Sequence, residues 1–569
     1  MRIRHLSIKN FRGIREIEWS LADKALFCLI GRGDSTKSTI LEALRRVFIP
    51  QWNLVFDDAD FYQCAPENEI RIEVTLGDLP DEFRDLATYG GWLCGWNTET
   101  LCSQSEPGEG IEDALRVCLS VGRDLEPSWK VIRNHDDEGV PFKVTDRAKA
   151  AVTLIGTVTD RHLTWSRGSI LSYLTGDETI SSSLADAGRA AKAALETRRS
   201  DQLTRFDEVA GIAEQTARDL GVSVASKYKA QLDSEAVNVR IGGLALHDGE
   251  MPLRQLGLGS KRMLMTGLQK SNLRTPHITL FDEVEIGLEP HRIARLLHHL
   301  KQDTTGQYFL TTHSPVVLRE LAVHNLYIVH SNSGKTDVVE ANKPSIANSI
   351  QGKIRSGAEA FLAPKIIVCE GATEVGFLRG LDKHWTARAK SSFAYQGIAL
   401  FDARGAKNIK ETAKDLKELS YRISVLADAD APTEFSDADA IFLRGIGVTV
   451  TIWDDGLCIE SRIFTDLSWP GALAAFDAAC AIHDNRDKLV DQIQSQYGQG
   501  FQRDPATWTD HPALRVALGM AAKASGWFKR QSWGEQLADT IFTYLDDTAI
   551  NSTDLIRKIN AVRAWIDCA

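Results

Sequence analysis

Acidic residues fall at two places where they could gather a divalent cation. The stretch "KIIVCEGATEV" (365–375) puts Glu370 at the end of an apolar run, with Gly371 next and Glu374 one helical turn on. The stretch "ISVLADADAP" (423–432) ends a second apolar run on Asp428 and Asp430. Alternate residues of a strand face one side, so this Asp-x-Asp aims two carboxylates at one point. Carboxylates at the C-terminal ends of parallel strands converge in the crevice where α/β proteins bind ligands. Four such oxygen donors suit Mg2+ or Mn2+. Like charges that close repel unless a cation sits among them. Taken singly, Glu-Gly after a strand is a turn and Asp-x-Asp-x-Pro is a capped loop start; the pairing is what points to chemistry. Asp402, at the end of "GIALFDA", could line the same crevice, although a strand-end Asp needs no such role.

A second constellation suits phosphate. In "LFCLIGRGDSTKST" (26–39), Gly31 opens a loop that contains Gly33 and closes on Lys37, Ser38 and Thr39. The spacing is that of G-x-x-x-x-G-K-[ST], except that Thr36 replaces the second Gly. Backbone N–H groups and the following helix N-terminus surround an anion in such a loop. Lys37 would reach the β and γ phosphates and Ser38 would ligate Mg2+. A β-branched Thr lacks the conformational freedom that Gly has. Further on, "HITLFDEVEIGLEP" ends a strand on Asp282 and Glu283, suited to holding Mg2+ and polarising an attacking water. "TTHSP" (311–315) follows the next strand, with His313 placed to sense a γ-phosphate. "LRQLGLGSKRML" offers a second anion-binding turn at Gly257, Gly259 and Ser260.

The elements that must position these residues alternate between strand and helix. The first segment reads strand, turn, strand, loop, helix, followed by antiparallel strands at 70–76, 114–122 and 128–134. Residues 90–110 look loop-like. From about 181 to 231 the chain is Ala-rich, charged and helical, as an inserted helical pair would be. Residues 276–330 return to α/β alternation. The polar stretch 341–357 reads as a linker, a second α/β unit opens at 364, and the tail after 470 is mostly helical. A chain of 569 residues suggests three or four domains. A net charge of −11 argues against a general nucleic-acid coat but not against a local basic groove. No apolar run reaches membrane-spanning length and the start lacks a signal-peptide core, so no membrane association is expected. Nine cysteines without metal-finger spacing fit a reducing, cytoplasmic setting.

Together, "IKNFRGI", the phosphate loop, "LGLGSKR", "DEVEIGLEP" and "TTHSP" resemble the ABC ATPases of the SMC and RecF type, which act on DNA. That resemblance covers 1–170 and about 232–340. It departs at Thr36, and at Gly257 and Leu258, where the family often has Ser-Gly. The carboxylate strands resemble the TOPRIM domain of topoisomerases, primases and nucleases. An ABC-type ATPase followed by TOPRIM is the layout of the OLD (overcoming lysogenization defect) family, which includes the nuclease subunit of Gabija antiphage systems. The resemblance implies an α/β fold: an ABC-type ATPase head with a helical insertion, then a C-terminal Rossmann-like TOPRIM domain. The expected parts are 1–170 and 232–345 for the ATPase, 171–231 for the insertion and a candidate dimer contact, and 346–569 for TOPRIM with its helical tail.

By the same resemblance, Glu370, Asp428 and Asp430 would hold one metal, and Glu374 with Glu460 of "DDGLCIESRIF" the second. Lys529 of "GWFKRQSWGEQLA" resembles a late lysine that stabilises phosphate charge. Glu283 would serve the ATPase, where Ser38 and Asp282 also bind metal. The implied activity is an ATP-binding, Mg2+- or Mn2+-dependent DNA endonuclease, cutting or nicking, in antiphage defence. Such proteins form homodimers or higher homo-oligomers, and relatives act alone, beside a helicase or with a reverse transcriptase. The alternative is a non-cutting ATP-gated DNA clamp or sensor. No primase zinc module and no active-site tyrosine context favour primase or topoisomerase chemistry.

Overall fold

The computed structural model describes residues 1–568 other than 86, 136, 151, 157–162, 166–168, 170, 172–185, 188, 191–200, 220–223, 229–244 and 272–276, and only the backbone of 201–207 and 269–271. Two sheets organise these residues. The larger is 14-stranded. The strands that matter here are β1 (Arg2–Phe11), β2 (Ile14–Ser20), β3 (Leu26–Ile30), β4 (Ile70–Gly77), β5 (Glu112–Val121), β6 (Val152–Ile155), β7 (Ile278–Phe281), β8 (Gln307–Thr311), β9 (Leu326–Asn332) and β10 (Lys335–Glu340).

Strands β6, β7, β8, β3 and β9 lie side by side, all parallel. Strands β10, β2, β1, β4 and β5 continue the sheet as a mainly antiparallel wing. The central strands β3, β7 and β8 are buried along their whole length, as strands covered on both faces must be. Phe27 of β3 stacks on Phe309 of β8 at 5.1 Å, which locks the register of the strand that feeds the phosphate loop. Helix α1 (Lys37–Phe48) leaves that loop and buries Ile40, Leu41, Leu44, Val47 and Phe48 against the sheet. Helix α2 (Leu258–Ser271) precedes β7.

The smaller sheet has the order β12 (Ile398–Asp402), β11 (Lys365–Cys369), β13 (Arg422–Ala427), β14 (Thr449–Ile452), and every pairing is parallel. Its helices include α4 (Ala372–Ala387), α5 (Ile409–Glu418), α6 (Ile459–Asp466), α7 (Pro512–Ser525) and α8 (Gln531–Ile541). Helices α4 and α8 approach until their backbones touch. A Cβ on Gly376 would meet the Gln531 carbonyl oxygen at 2.0 Å, and one on Gly534 the Thr373 carbonyl oxygen at 2.5 Å. Only glycine fits at either position.

The two sheets share a core. One apolar cluster runs from Leu310 and Ile328 through Ile350, Ile354 and Phe361 to Ile366 and Val425. Polar contacts pin its rim. The Tyr421 hydroxyl donates to the Phe361 carbonyl at 2.7 Å, His330 Nε2 lies 2.8 Å from the Leu419 carbonyl oxygen, and Lys343 donates to the Glu418 carbonyl at 2.6 Å.

Three sequence expectations change. The linker at 341–357 contains a helix, α3 (Ala347–Ser356), because Ile350 and Ile354, one turn apart, bury into the shared core. The loop-like 90–110 holds a short hairpin, Cys94–Asn97 with Cys102–Gln104, whose first strand pairs with β5 and buries Trp96. Strand β13 ends at Ala427, so Asp428 and Asp430 follow it in a loop, and strand alternation is not what brings them together. In the inserted stretch, Asp201–Asp219 is a helix; much of the remaining expected pair lies outside the described residues.

Candidate functional site

Gly31 opens the phosphate loop with φ 140°, and a Cβ there would strike the Val329 carbonyl oxygen at 2.7 Å. Thr36 has φ 67° and ψ 10°, the left-handed conformation that a glycine adopts freely and a β-branched residue resists. Its hydroxyl compensates in part, donating to the Ser35 carbonyl at 2.6 Å and lying 3.2 Å from Thr336 Oγ1. The loop therefore keeps the backbone path that the missing glycine would provide. Lys37 folds into it, and its ammonium donates to the carbonyls of Gly31 at 3.1 Å and Arg32 at 2.6 Å and to Ser35 Oγ at 3.1 Å. Burial lowers its pKa to about 8, against the pull of Asp282 and Asp34. Gly33 and Ser38 are exposed and Thr39 is half-buried, all at the mouth of the helix N-terminus.

Asp282, at the end of β7, faces this loop. Ser38 Oγ donates to Asp282 Oδ1 at 2.7 Å, and Thr311 Oγ1 donates to the same oxygen at 2.8 Å. The Glu283 N–H donates to Thr311 Oγ1 at 2.8 Å. Glu283 itself has φ 47°. His313 lies on the next loop, and partial desolvation of its ring, with Lys37 nearby, holds it below the usual imidazole range. Glu285, which the sequence did not single out, holds that loop. Its carboxylate accepts the His313 N–H and the Thr312 hydroxyl, both at 2.7 Å. The turn at Gly259 and Ser260 begins α2, and Gly259 packs so closely on Gly287 that a Cβ would lie 2.0 Å from its carbonyl oxygen. The fully buried Arg262 donates to the carbonyls of Asp282 and Glu283, tying that turn to the end of β7.

The second site forms at the C-terminal edge of the smaller sheet. Glu370, Asp428 and Asp430 each offer an oxygen, and these lie within 4.8 Å of one another. Backbone donors orient them: the Asp428 N–H donates to Glu370 Oε2 at 3.1 Å, and the Ile459 N–H donates to Asp428 Oδ1 at 3.0 Å. Glu460 is buried in α6 and forms a second such group with Asp428 and Cys458. Glu374 is buried in α4 and accepts the Gly371 N–H at 2.8 Å. Burial raises the pKa of Glu370, Glu374, Asp428 and Glu460. For Glu374 and Asp428 the carboxylates around them add to it. A divalent cation is the species that relieves such crowding. The donor set, chiefly carboxylate oxygens at a strand edge, fits Mg2+ or Mn2+.

Lys529 lies just before α8, exposed, and its charge bears on Glu460. Thr373 Oγ1 donates to the neighbouring Phe528 carbonyl at 3.1 Å, so the tight α4–α8 contact sets where the Lys529 loop stands. Asp402 accepts the Arg404 N–H at 2.8 Å and caps a turn. Two neighbours of the cluster escaped the sequence reading. Cys458 precedes α6, and Lys523 of α7 pairs with Asp430 at 2.7 Å. Neither sits in a motif.

Family models match three stretches. Residues 1–116 match an AAA ATPase domain, and residues 126–319 match "AAA domain, putative AbiEii toxin, Type IV TA system". Residues 361–430 match the overcoming lysogenization defect protein-like TOPRIM domain. No curated protein matches the chain. Among solved structures, an SMC head bound to the C-terminal winged-helix domain of ScpA is 12% identical, covering 60% of this chain and 98% of its own, at a TM-score of 0.32. The SMC head domain from Thermotoga maritima is 16% identical over 60% and 99%, at 0.28. RecF with ATPrS, of the RecFOR pathway, is 13% identical over 59% and 98%, at 0.32.

Proposed function

We propose that this chain, which has the ATPase–TOPRIM architecture of the OLD family, binds ATP in its first half and cuts or nicks DNA with divalent metal in its second. One observation carries the reading: Glu370, which follows β11, and Asp428 and Asp430, which follow β13, put oxygens within 4.8 Å of one another, with Glu460 joining at Asp428. Divalent cations, when bound there, would supply the chemistry of water activation at neutral pH and of charge stabilisation at the departing 3′ oxygen. Glu370, Asp428 and Asp430 would hold one cation, and Glu374 and Glu460 would serve a second. The chain's own contribution is orientation: N–H groups of Asp428 and Ile459 fix the carboxylates before any substrate arrives. Lys529 would neutralise phosphate charge from the α8 side. Lys37, Ser38, Asp282, Glu283 and His313 would serve ATP, with Gly259 and Ser260 presented to a second copy of the chain.

Supercoiled plasmid incubated with protein and Mg2+ or Mn2+, beside a Glu370→Ala control, tests this. Wild-type cleavage that the variant loses is expected. Equal cleavage by both would remove the site assignment, and no cleavage by either would favour a non-cutting ATP-gated clamp. A role in defence against phage is proposed on the family architecture, and plaque counts on cells expressing wild-type or Glu370→Ala protein test it.

A further inference from the structure

We propose that Lys523 is an exchangeable counter-ion of the carboxylate cluster: it holds Asp430 until a divalent cation claims that carboxylate, and then serves a phosphate of bound DNA. The inference rests on the metal-site reading above. Lys523 Nζ lies 2.7 Å from Asp430 Oδ2. Among the described residues it forms the cluster's one ion pair; Glu370, Glu374, Asp428 and Glu460 have none. A single ammonium cannot balance such a set, so a divalent cation outcompetes it.

The base of this side chain is fixed and its head reaches solvent. Gly519, one turn before Lys523 in α7, lies against Ser461 of α6, where a Cβ would meet the Ser461 Cα at 2.8 Å. Ser461 adjoins Glu460, so α7 is registered against the cluster. The Lys523 side chain is nevertheless 47% exposed, whereas Asp430 is 15% exposed. The ammonium therefore stands on the solvent side of the carboxylate, where a DNA backbone must approach. Val516 and Met520 share its helix face and are exposed. They offer no anion to hold an ammonium released from Asp430, which leaves it available to an incoming phosphate. An ordinary surface ion pair would contribute little and do neither job.

The two roles separate experimentally. Mn2+ binding is titrated without DNA for wild type, Glu370→Gln and Lys523→Gln, and DNA binding is measured in Ca2+ against salt concentration. Lys523→Gln is expected to bind Mn2+ at least threefold tighter, because a competitor is gone. It is expected to lose about one unit of salt slope in DNA binding, because one phosphate contact is gone. Lys523→Arg should keep the slope. Unchanged or weaker Mn2+ binding by Lys523→Gln, or an unchanged slope, overturns the inference while leaving the metal site standing. Wild-type protein that takes up no Mn2+, or takes it up equally in Glu370→Gln, overturns the metal-site reading and the inference with it.

Discussion

Ser38 and Asp282 meet across the phosphate site, with the serine hydroxyl donating to Asp282 Oδ1 at 2.7 Å. Thr311 donates to the same oxygen at 2.8 Å, so the carboxylate is aimed before nucleotide arrives. Asp282→Ala should therefore weaken ATP binding at least tenfold in Mg2+ and much less in EDTA. Titration with a fluorescent ATP analogue in both conditions reads this, and an equal loss in both would place Asp282 outside the metal's reach.

Thr36 sits at φ 67°, where a residue with a Cβ is disfavoured by about 1–2 kcal/mol. Thr36→Gly removes that strain and loses the hydroxyl contacts to Ser35 and Thr336. A net gain of up to about 1 kcal/mol in unfolding free energy is expected, with ATP affinity at least equal to wild type. Denaturant melts check it; a loss of stability would show that the hydroxyl contacts outweigh the backbone.

Burial lowers the Lys37 pKa from 10.5 to about 8. A triphosphate prefers the ammonium, so the sign is fixed: affinity is full well below pH 8 and falls as pH rises through 8 and the lysine loses its proton. ATP binding should weaken about tenfold between pH 7 and pH 9. Lys37→Arg should flatten this profile, and a profile still sloping in that variant would assign the titration elsewhere.

The carboxylate cluster titrates in the opposite sense. Burial raises Glu374 to about 8 and lifts Glu370, Asp428 and Glu460 above the ordinary range. The folded state thus holds protons that the unfolded chain has released. The cluster's stabilisation is full below the usual carboxylate pKa and is lost as pH rises towards 8. Cations must displace those protons. Mn2+ affinity should rise between pH 6 and pH 8, while the melting temperature in EDTA falls over the same interval and Mn2+ restores it. Calorimetry at three pH values decides the matter; a flat Mn2+ affinity would refute it.

Gly376 has no room for a methyl group, since its Cβ would lie 2.0 Å from the Gln531 carbonyl oxygen. Gly376→Ala should destabilise the protein by about 1–3 kcal/mol and displace the Lys529 loop. DNA cleavage should fall while ATP affinity stays within twofold of wild type. Parallel loss of both activities would mean global unfolding instead.

Much of this was legible because the chemistry demands particular residues at strand ends. Glu370, Asp282 and His313 follow apolar runs that are the strands β11, β7 and β8. Other features left no local trace. Helix α3 hides in a polar segment where only Ile350 and Ile354 betray a buried face. Lys523 matters through Asp430, a partner on a distant element, and nothing in its own neighbourhood marks it. Glu285 acts through the backbone of a different loop. The convergence of Asp428 and Asp430 was anticipated for the wrong reason, since a loop turn and not the pleat of a strand brings them together.

Strand β3, which feeds the phosphate loop, lies between β8 and β9, and both flanking strands come from residues 307–332. During synthesis, then, the chain must leave the ribosome past residue 307 before β3 acquires either neighbour, and until that moment it is an unpaired apolar segment. The smaller sheet draws all its strands from residues 365–452 and can close soon after they emerge. Nascent chains stalled before residue 307 should be the aggregation-prone and chaperone-bound species.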